Sequence, residues 1–335
     1  MARATRRTWR IAFTAVFMAG CAATVGFTDT GAGERVDVCL VSADRPEAEQ
    51  TVRVTADAAS ALLRSSASYS GPCAEYGHAL PLGEGTLRTY TQREDGRPLA
   101  MGVTFPATAL QSLPTAVSDE KHCFDKDGDG SLDPHKECSV GHENVLDLPA
   151  GFRDGVQTPF SWSLVNWNPH GHIPKGVYDT PHFDFHFYLQ PLAERNAIRP
   201  GPCPVITDCD DYARAKAPVP ERYRAPGYID VDAVEPAMGN HLFDQAATEF
   251  HGVPFTRTWI YGTYDGKISF YETMIAKSWL DGLRSGSAED ACVPFAQPEA
   301  WRETGWYPTR YCIEYRENRG DYTVSLTGFA FRIGS

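Results

Sequence analysis

The sequence predicts a mainly β fold, an antiparallel barrel or sandwich with few short helices and loops held by disulfides. Short runs with strand-type composition recur between turn signals, as in RVDVCLV, QTVRVTA and GTLRTYTQ. The dipeptide Asp265-Gly266 separates two alternating runs and predicts a two-residue β-hairpin turn. Helical patterns are confined to short segments, PATALQSLP and KSWLDGLRSG, the second of which ends at a glycine. Many short strands with few helices are typical of antiparallel barrels and sandwiches.

The first twenty residues predict an export signal. MARATRRTWR is basic, and IAFTAVFMAG is an apolar run too short to remain as a membrane helix. The residues MAG before Cys21 resemble the lipobox of bacterial lipoproteins, which implies cleavage there and lipidation of Cys21; cleavage without lipidation is the alternative. The arginine pair in TRRTW loosely resembles a twin-arginine signal. Beyond residue 27 no apolar stretch approaches the ~20 residues of a membrane helix, so the predicted anchor is the lipid alone, facing the periplasm or extracellular space.

The predicted organisation is a signal peptide at 1–20, a lipid-linked tether at 21–35 and one β-rich domain at 36–335. A loop at 115–148, charged and rich in Gly and Asp, reads as an insertion into that domain. Residues 1–20 contain four arginines and no acids, so removing them takes the formal charge from −12 to −16. Without a basic cluster, that charge argues against nucleic acid or anionic lipid as a partner and is compatible with divalent cations. A homo-oligomer is left open.

Eight cysteines follow Cys21, and an even number in an exported chain predicts up to four disulfides. Free or zinc-binding thiols are the alternative, although the sequence contains no CxxC. The pairs suggested by proximity in sequence are Cys39–Cys73, Cys123–Cys138, Cys203–Cys209 and Cys292–Cys312.

The segment PHFDFHFY places His182, Asp184 and His186 at every second position, with phenylalanines between them. On a strand these three polar residues share one face and the phenylalanines share the other. Ionisable groups that face an interior are costly unless they are paired, hydrogen-bonded or bound to metal. Residues i and i+4 lie ~13 Å apart, whereas an imidazole ligand holds a metal roughly 6–7 Å from its Cα. His182 and His186 therefore share one ion only across a bulge or strong twist, and Asp184 with one histidine is the expected unit.

Further candidate ligands lie in three neighbouring segments, NPHGHIP, MGNHLFD and FYETMI. Imidazole and carboxylate without thiolate favour Zn²⁺, with Mn, Fe, Cu and Ni as alternatives. A buried hydrogen-bond network and a solvent-exposed polar face are the two alternatives to a metal site. The predicted ligands are His172, His182, Asp184, His186, His241 and Glu272, with His170 in second rank.

Three segments, WNPHGHIPKGVYDTPHFDFHFY, PAMGNHLFD and YGTYDGKISFYETMI, resemble an uncharacterised bacterial family of exported proteins. Its signatures are WNPHGHxPxGVYDxPHFDFHFY, MGxHxxD and YGxYxGxxxFxEPMI, and GRPLAMGVTFPATALQSLP resembles its N-terminal part. The resemblance covers roughly residues 80–115 and 160–280. It implies a shared β-rich domain without an assigned biochemical role. The chain departs from the pattern EPMIT at Thr273 and Ala276, which leaves Glu272 in place but puts the geometry of its strand in question.

The segment DKDGDGSLDPHKE, between two cysteines, predicts a calcium loop of the EF-hand type. Its residues at positions 1, 3, 5, 6 and 9 fit that pattern, and the residue at position 7 offers its carbonyl. Position 12 is Lys136, with Glu137 one place late. A solvated acidic turn is the alternative, since Asp-Gly pairs are ordinary in turns. The predicted calcium ligands are Asp125, Asp127, Asp129, Ser131, Asp133 and Glu137.

No G-x-S-x-G, P-loop, G-x-G-x-x-G or H-E-x-x-H motif occurs in the sequence, and no catalytic residue is predicted. The leading interpretation is an exported lipoprotein with an interior His/carboxylate transition-metal site and a separate calcium loop. One alternative is a metal-dependent enzyme, a hydrolase or oxidoreductase, that uses an open coordination position. The other is a metal-binding structural or cargo protein of the cell envelope.

Overall fold

The computed structural model of the chain describes residues 34–42 and 44–335. The predicted signal peptide, Cys21 and nearly all of the predicted tether lie outside these residues. The first strand begins at Arg35. Strands make up 44% and helices 16% of the structure, which confirms the mainly β fold class.

The secondary structure consists of many short strands and a few short helices. The strands are β1 (Arg35–Ser42), β2 (Arg45–Thr55), β3 (Tyr69–Ser70), β4 (Glu75–Tyr76), β5 (Leu80–Leu82), β6 (Gly85–Glu94), β7 (Arg97–Pro106), β8 (His142–Asp147), β9 (Trp162–Asn168), β10 (His182–Tyr188), β11 (Pro200–Cys203), β12 (Tyr228–Glu235), β13 (Gly239–Asp244), β14 (Arg257–Tyr264), β15 (Lys267–Ala276), β16 (Ala291–Pro294), β17 (Gly305–Tyr307), β18 (Arg310–Arg316), β19 (Asp321–Thr327) and β20 (Ala330–Arg332). The α-helices are α1 (Ala56–Ser65), α2 (Ala150–Gly155), α3 (Leu192–Asn196), α4 (Cys209–Ala215) and α5 (Lys277–Ser285). Short 3-10 helices lie at Ala107–Leu110, Glu221–Tyr223 and Thr248–His251.

Two large antiparallel sheets form a sandwich. One sheet has the strand order β12-β13-β14-β15-β10-β9-β8, and the other has the order β16-β18-β19-β7-β6-β4, with β5 also paired to β6. Phe105 of β7 packs against Phe183 and Phe185 of β10, with ring centroids 6.4 and 6.0 Å apart. One hydrophobic core contains side chains from both sheets. Of the two predicted architectures, the structure is therefore the sandwich, and neither sheet closes on itself within the described residues.

A third, small sheet with the order β2-β1-β3 carries helix α1 and a separate hydrophobic cluster. Val38, Val54 and Leu62 are buried in that cluster. The amide of Asn318 donates hydrogen bonds to the carbonyls of Ser66 and Ser68, which ties the small sheet to the sandwich.

The predicted hairpin is confirmed as β14 and β15. Asp265 and Gly266 have φ values of 52° and 69°, and a turn with two positive φ values matches the right-handed twist of paired strands. The predicted second helix is α5, which ends at Gly286 with a φ of 74°. The other predicted helical segment, PATALQSLP, contains the short 3-10 helix at Ala107–Leu110.

The predicted insertion at 115–148 extends too far toward the C-terminus. Residues 142–147 form β8, which pairs with β9 at the edge of the first large sheet. Only Leu146 of the segment HENVLD is buried, and most of its other side chains are polar. The segment therefore lacks the apolar alternation that predicts a strand. Residues 195–240, on the other side of β10, contain β11, α4 and β12.

The four predicted disulfides are present. They join Cys39 to Cys73, Cys123 to Cys138, Cys203 to Cys209 and Cys292 to Cys312. Within the described part of the chain, no helix combines the length and the apolar character that crossing a membrane requires.

Candidate metal centre

Strand β10 lies between β15 and β9 in the middle of its sheet, and its two faces differ completely. Its phenylalanines point into the core between the two sheets, as the alternation predicts. His182, Asp184 and His186 lie on the opposite, outer face of the sheet. They are nevertheless only 0%, 5% and 1% exposed, because loops cover this face. The site is therefore interior, but under loops on a sandwich sheet rather than inside a barrel.

The six predicted ligands divide into two groups of three. In each group the ligand atoms lie within 4.8 Å of one another. The first triad consists of His172, His182 and Asp184, and the second triad consists of His186, His241 and Glu272.

In the first triad, Nε2 of His182 lies 3.2 Å from Oδ1 of Asp184, and Nε2 of His172 lies 3.8 Å from Oδ2. His172 comes from the loop between β9 and β10 and lies over the sheet. Asn168, which pairs with His182 across the strands, donates a hydrogen bond of 2.7 Å from Nδ2 to Oδ2 of Asp184. This amide, which sequence analysis did not identify, fixes the orientation of the carboxylate.

In the second triad, Nε2 of His186 lies 3.6 Å from Oε1 of Glu272, and Nε2 of His241 lies 3.9 Å from Oε2. Glu272 is the direct cross-strand partner of His186 on β15. His241 is on β13 and reaches across β14 to the same carboxylate. The departures from the family pattern at Thr273 and Ala276 leave β15 regularly paired with β10 at both positions.

Three of the four histidines are oriented in the same way. Nδ1 of His172, His182 and His241 lies 2.8, 2.7 and 2.9 Å from the backbone carbonyls of Ile173, Thr180 and Ala233 respectively. A carbonyl only accepts hydrogen bonds, so each Nδ1 carries the hydrogen and each Nε2 faces the triad carboxylate. Histidines that bind metals are typically oriented by a hydrogen bond of this kind.

Five of the buried polar atoms that lack a hydrogen-bond partner lie in the two triads. Nε2 of His182, Oδ1 of Asp184, both ring nitrogens of His186 and Oε2 of Glu272 have no hydrogen-bond partner. Buried polar side-chain atoms are mostly hydrogen-bonded, so these atoms require another partner. A tetrahedral ion with bonds of 2.0–2.2 Å holds its ligand atoms roughly 3.3–3.6 Å apart, close to the 3.2–3.9 Å between nitrogen and oxygen in the triads.

The electrostatic environments of the two triads differ. Burial lowers the pKa of His186 to about 3 and that of His241 to about 4, whereas burial and the nearby Asp184 raise the pKa of Glu272 well above its ordinary value. Burial also acts to raise the pKa of Asp184, but His182 and His172 outweigh it and hold that pKa well below its ordinary value. The second triad thus presents neutral imidazoles, the form that binds metal.

A cavity of about 90 Å³ lies between the sheet and the loops. Both triads open onto it through Asp184, His186, His241 and Glu272, and its other wall includes Ser139 and Val140 beside the Cys123–Cys138 disulfide. One water takes up about 10–15 Å³ of such a cavity, so the cavity has room for ions together with several waters.

His170, the second-rank ligand, lies outside both triads. Its Nε2 lies 3.0 Å from the carbonyl of Thr115, and the side chain is exposed. The Gly171 backbone, with a φ of 67°, separates His170 from His172, so the two histidines of NPHGH point to different places.

The acidic loop brings together Asp125, Asp127 and Asp129, which offer carboxylate oxygens within 4.8 Å of one another. The other predicted carboxylate ligands have different partners. Glu137 accepts hydrogen bonds from the backbone amides of Lys126, Asp127 and Asp133, and Asp133 pairs with Lys136 at 2.7 Å. Glu137 therefore ties the ends of the loop together, and the flanking EF-hand helices are absent from residues 115–141.

Arg195 and Glu143 form a buried ion pair that sequence analysis did not identify. Their side chains are 2% and 7% exposed, and His122 lies 3.2 Å from the same carboxylate. Burial acts to raise the pKa of Glu143, but the hydrogen bond from His122 and the charge of Arg195 lower it to about 2. Arg195 lies near enough to His186 to lower its pKa as well.

We expect Glu143→Gln to remove a pH-dependent part of the stability. Because the pKa of Glu143 falls from 4.5 to about 2 on folding, its charge stabilises the fold above pH 4.5, and that stabilisation is lost as the pH falls toward 2. The full effect is about 3 kcal/mol. Urea denaturation from neutral to acidic pH measures it as a difference between wild type and variant that shrinks below pH 4.5. The exposed Glu299→Gln is the control, and a difference that stays constant down to acidic pH would contradict the assignment.

Comparisons of the chain with known protein families, with curated proteins and with solved structures found no match. The resemblance to the exported family therefore stays a prediction, and the two triads are the features of the chain that point to a function.

Proposed function

We propose that this chain is an exported protein that binds a divalent transition metal, zinc before others, at the His/carboxylate centre on β10. The observation that carries the proposal is the shared orientation of His172, His182 and His241. Each is held at Nδ1 by a backbone carbonyl and directs Nε2 at a buried carboxylate without a hydrogen bond between them. Such an arrangement is stable when a cation lies between the imidazole and the carboxylate.

A metal-free hydrogen-bond network and a set of protonated histidines both fit the triads less well than a metal ion does. In a hydrogen-bond network all four imidazole nitrogens would lie close to the carboxylates. Three of the four separations are 3.6–3.9 Å, too long for hydrogen bonds, and only His182 and Asp184 approach to 3.2 Å. Protons on the histidines would provide cations. Four imidazolium groups, three of them buried, would then face two triad carboxylates, and the excess charge is costly to bury. A metal ion satisfies the nitrogens and the oxygens together.

The donor set selects the metal. Imidazole and carboxylate without thiolate suit zinc, with Mn, Fe, Cu and Ni as alternatives. The eight cysteines of the described chain are all in disulfides, so none supplies a thiolate. Those disulfides also support export, because disulfides persist in oxidising compartments.

A metal-dependent enzyme is the second candidate, and one observation favours it over a structural or cargo protein. Each triad supplies three protein ligands and opens onto a cavity with room for water. Three protein ligands with one open position are typical of catalytic zinc, whereas four are typical of structural zinc. An ion with an open position polarises an oxygen or activates a bound water.

We expect cobalt-substituted protein to show visible absorption bands that change when azide is added, because azide enters an open coordination position. Bands that do not respond to azide would indicate four protein ligands and favour the structural or cargo alternative. The double variant His182→Gln/His241→Gln is expected to lose the bands, while the matched control His170→Gln keeps them. Bands of equal strength in the double variant would contradict the proposed centre.

Lipidation of Cys21 and calcium binding at Asp125, Asp127 and Asp129 belong to the same proposal. The three convergent carboxylates support a weak structural calcium site that orders the loop between Cys123 and Cys138. Mass spectrometry of the membrane-bound protein tests the lipid, and equilibrium dialysis with calcium tests the loop.

A further inference from the structure

The two triads are separated along β10 by the geometry of a regular strand. His182 and His186 are four residues apart, a Cα separation of ~13 Å, too long for two imidazoles to share one ion. Only a bulge or strong local twist shortens that separation. Residues His182–Tyr188 pair with both neighbouring strands without a register shift, so β10 has no bulge.

Each triad also has its own carboxylate. On β15, Glu272 lies opposite His186, while the residue opposite Asp184 is Met274. Asp184 faces the two histidines of the first triad, and Glu272 faces the two histidines of the second. The two sets of ligand atoms therefore form two centres, displaced along the strand by about two residues.

The charge of the cavity fits two divalent ions. Four carboxylates line it, Asp184, Asp232, Glu235 and Glu272, and its described lining includes no lysine or arginine. Asp232 is half exposed and pairs with Lys216 at 3.1 Å, so three carboxylates remain without a cation. One divalent ion brings two positive charges and leaves the third carboxylate uncompensated.

Single occupancy also leaves unpaired atoms in the empty triad. With an ion only in the second triad, Nε2 of His182 and Oδ1 of Asp184 stay without partners. With an ion only in the first, both nitrogens of His186 and Oε2 of Glu272 stay without partners. A buried polar atom without a partner destabilises the fold, because it has lost its hydrogen bonds to water and gained none in return.

We propose that the cavity binds two divalent transition-metal ions, one in each triad, rather than one ion shared by all six residues. This inference rests on the proposed metal-binding function. Each ion has three protein ligands from its own triad, and both ions face the same cavity.

Metal analysis tests the inference directly. Apo-protein is dialysed against zinc in a buffer with excess calcium, which occupies the acidic loop, and the bound zinc is measured by mass spectrometry. We expect two zinc ions per chain in the wild type and in His170→Gln. We expect one ion in His182→Gln, one in His241→Gln and none in the double variant.

The outcomes separate this inference from the proposed function. One zinc in the wild type that either variant abolishes overturns the two-ion inference and leaves the proposed function intact. No zinc in the wild type overturns both. If the variants do not fold, anomalous diffraction from wild-type crystals at the zinc edge decides: two peaks beside β10 support the inference, and a single peak overturns it.

Discussion

Removal of zinc by a chelator is expected to lower the free energy of unfolding of the wild-type chain by about 5 kcal/mol. The zinc-loaded protein is measured at a free zinc concentration about 100 times the dissociation constant of each site. At that concentration each site adds about 2.7 kcal/mol to the free energy of unfolding. The ligands come from β10, β13, β15 and the loop before β10, so the sites exist only in the folded chain. Urea denaturation with and without zinc, in excess calcium, measures the difference.

The variants divide this effect between the triads. His182→Gln and His241→Gln are each expected to keep about half of the zinc-dependent stabilisation, and the double variant none. His170→Gln, whose side chain is exposed and outside both triads, is expected to keep all of it. A wild type without any zinc response, or a double variant with the full response, would contradict the metal centre.

Replacement of Phe185 by alanine is expected to lower the free energy of unfolding by about 3–5 kcal/mol. Phe185 is 1% exposed, and its ring lies 6.0 Å from the rings of Phe105 and Phe183, between the two large sheets. The substitution removes apolar contacts and leaves a cavity that the two sheets cannot close. Urea denaturation of wild type and variant in the absence of zinc measures the loss.

Phe331→Ala is the matched control, since that side chain is 42% exposed, and we expect a change within about 1 kcal/mol. Folded Phe185→Ala is expected to keep the wild-type zinc content, because Phe185 points away from the triads. Equal effects of the two substitutions would show that the sandwich core does not depend on the phenylalanine face of β10.

Local sequence determined much of the fold and part of the site. The alternation in PHFDFHFY assigned each side chain of β10 to a face, because side chains on a strand alternate regardless of its neighbours. Asp265-Gly266 predicted the hairpin, since few dipeptides adopt two positive φ values in succession. The disulfide pairs followed from proximity in sequence, which makes closure of short loops the least costly in entropy.

The features that the sequence did not predict all depend on contacts between segments that are distant in the chain. HENVLD becomes a strand through backbone pairing with β9, and Arg195 is buried because Glu143 and His122 lie beside it. Glu137 lies one place after position 12 of the calcium-loop pattern. The sequence did not reveal that both of its carboxylate oxygens accept hydrogen bonds from backbone amides.

The sequence by itself determined that β10 has an apolar face and a face of potential metal ligands, because a period of two is a property of the single strand. Only the tertiary structure decided that the sheets form a sandwich, that loops bury the ligand face, and that six residues divide into two triads. Those outcomes depend on strand order, register and loop packing, which arise from contacts between segments distant in the chain.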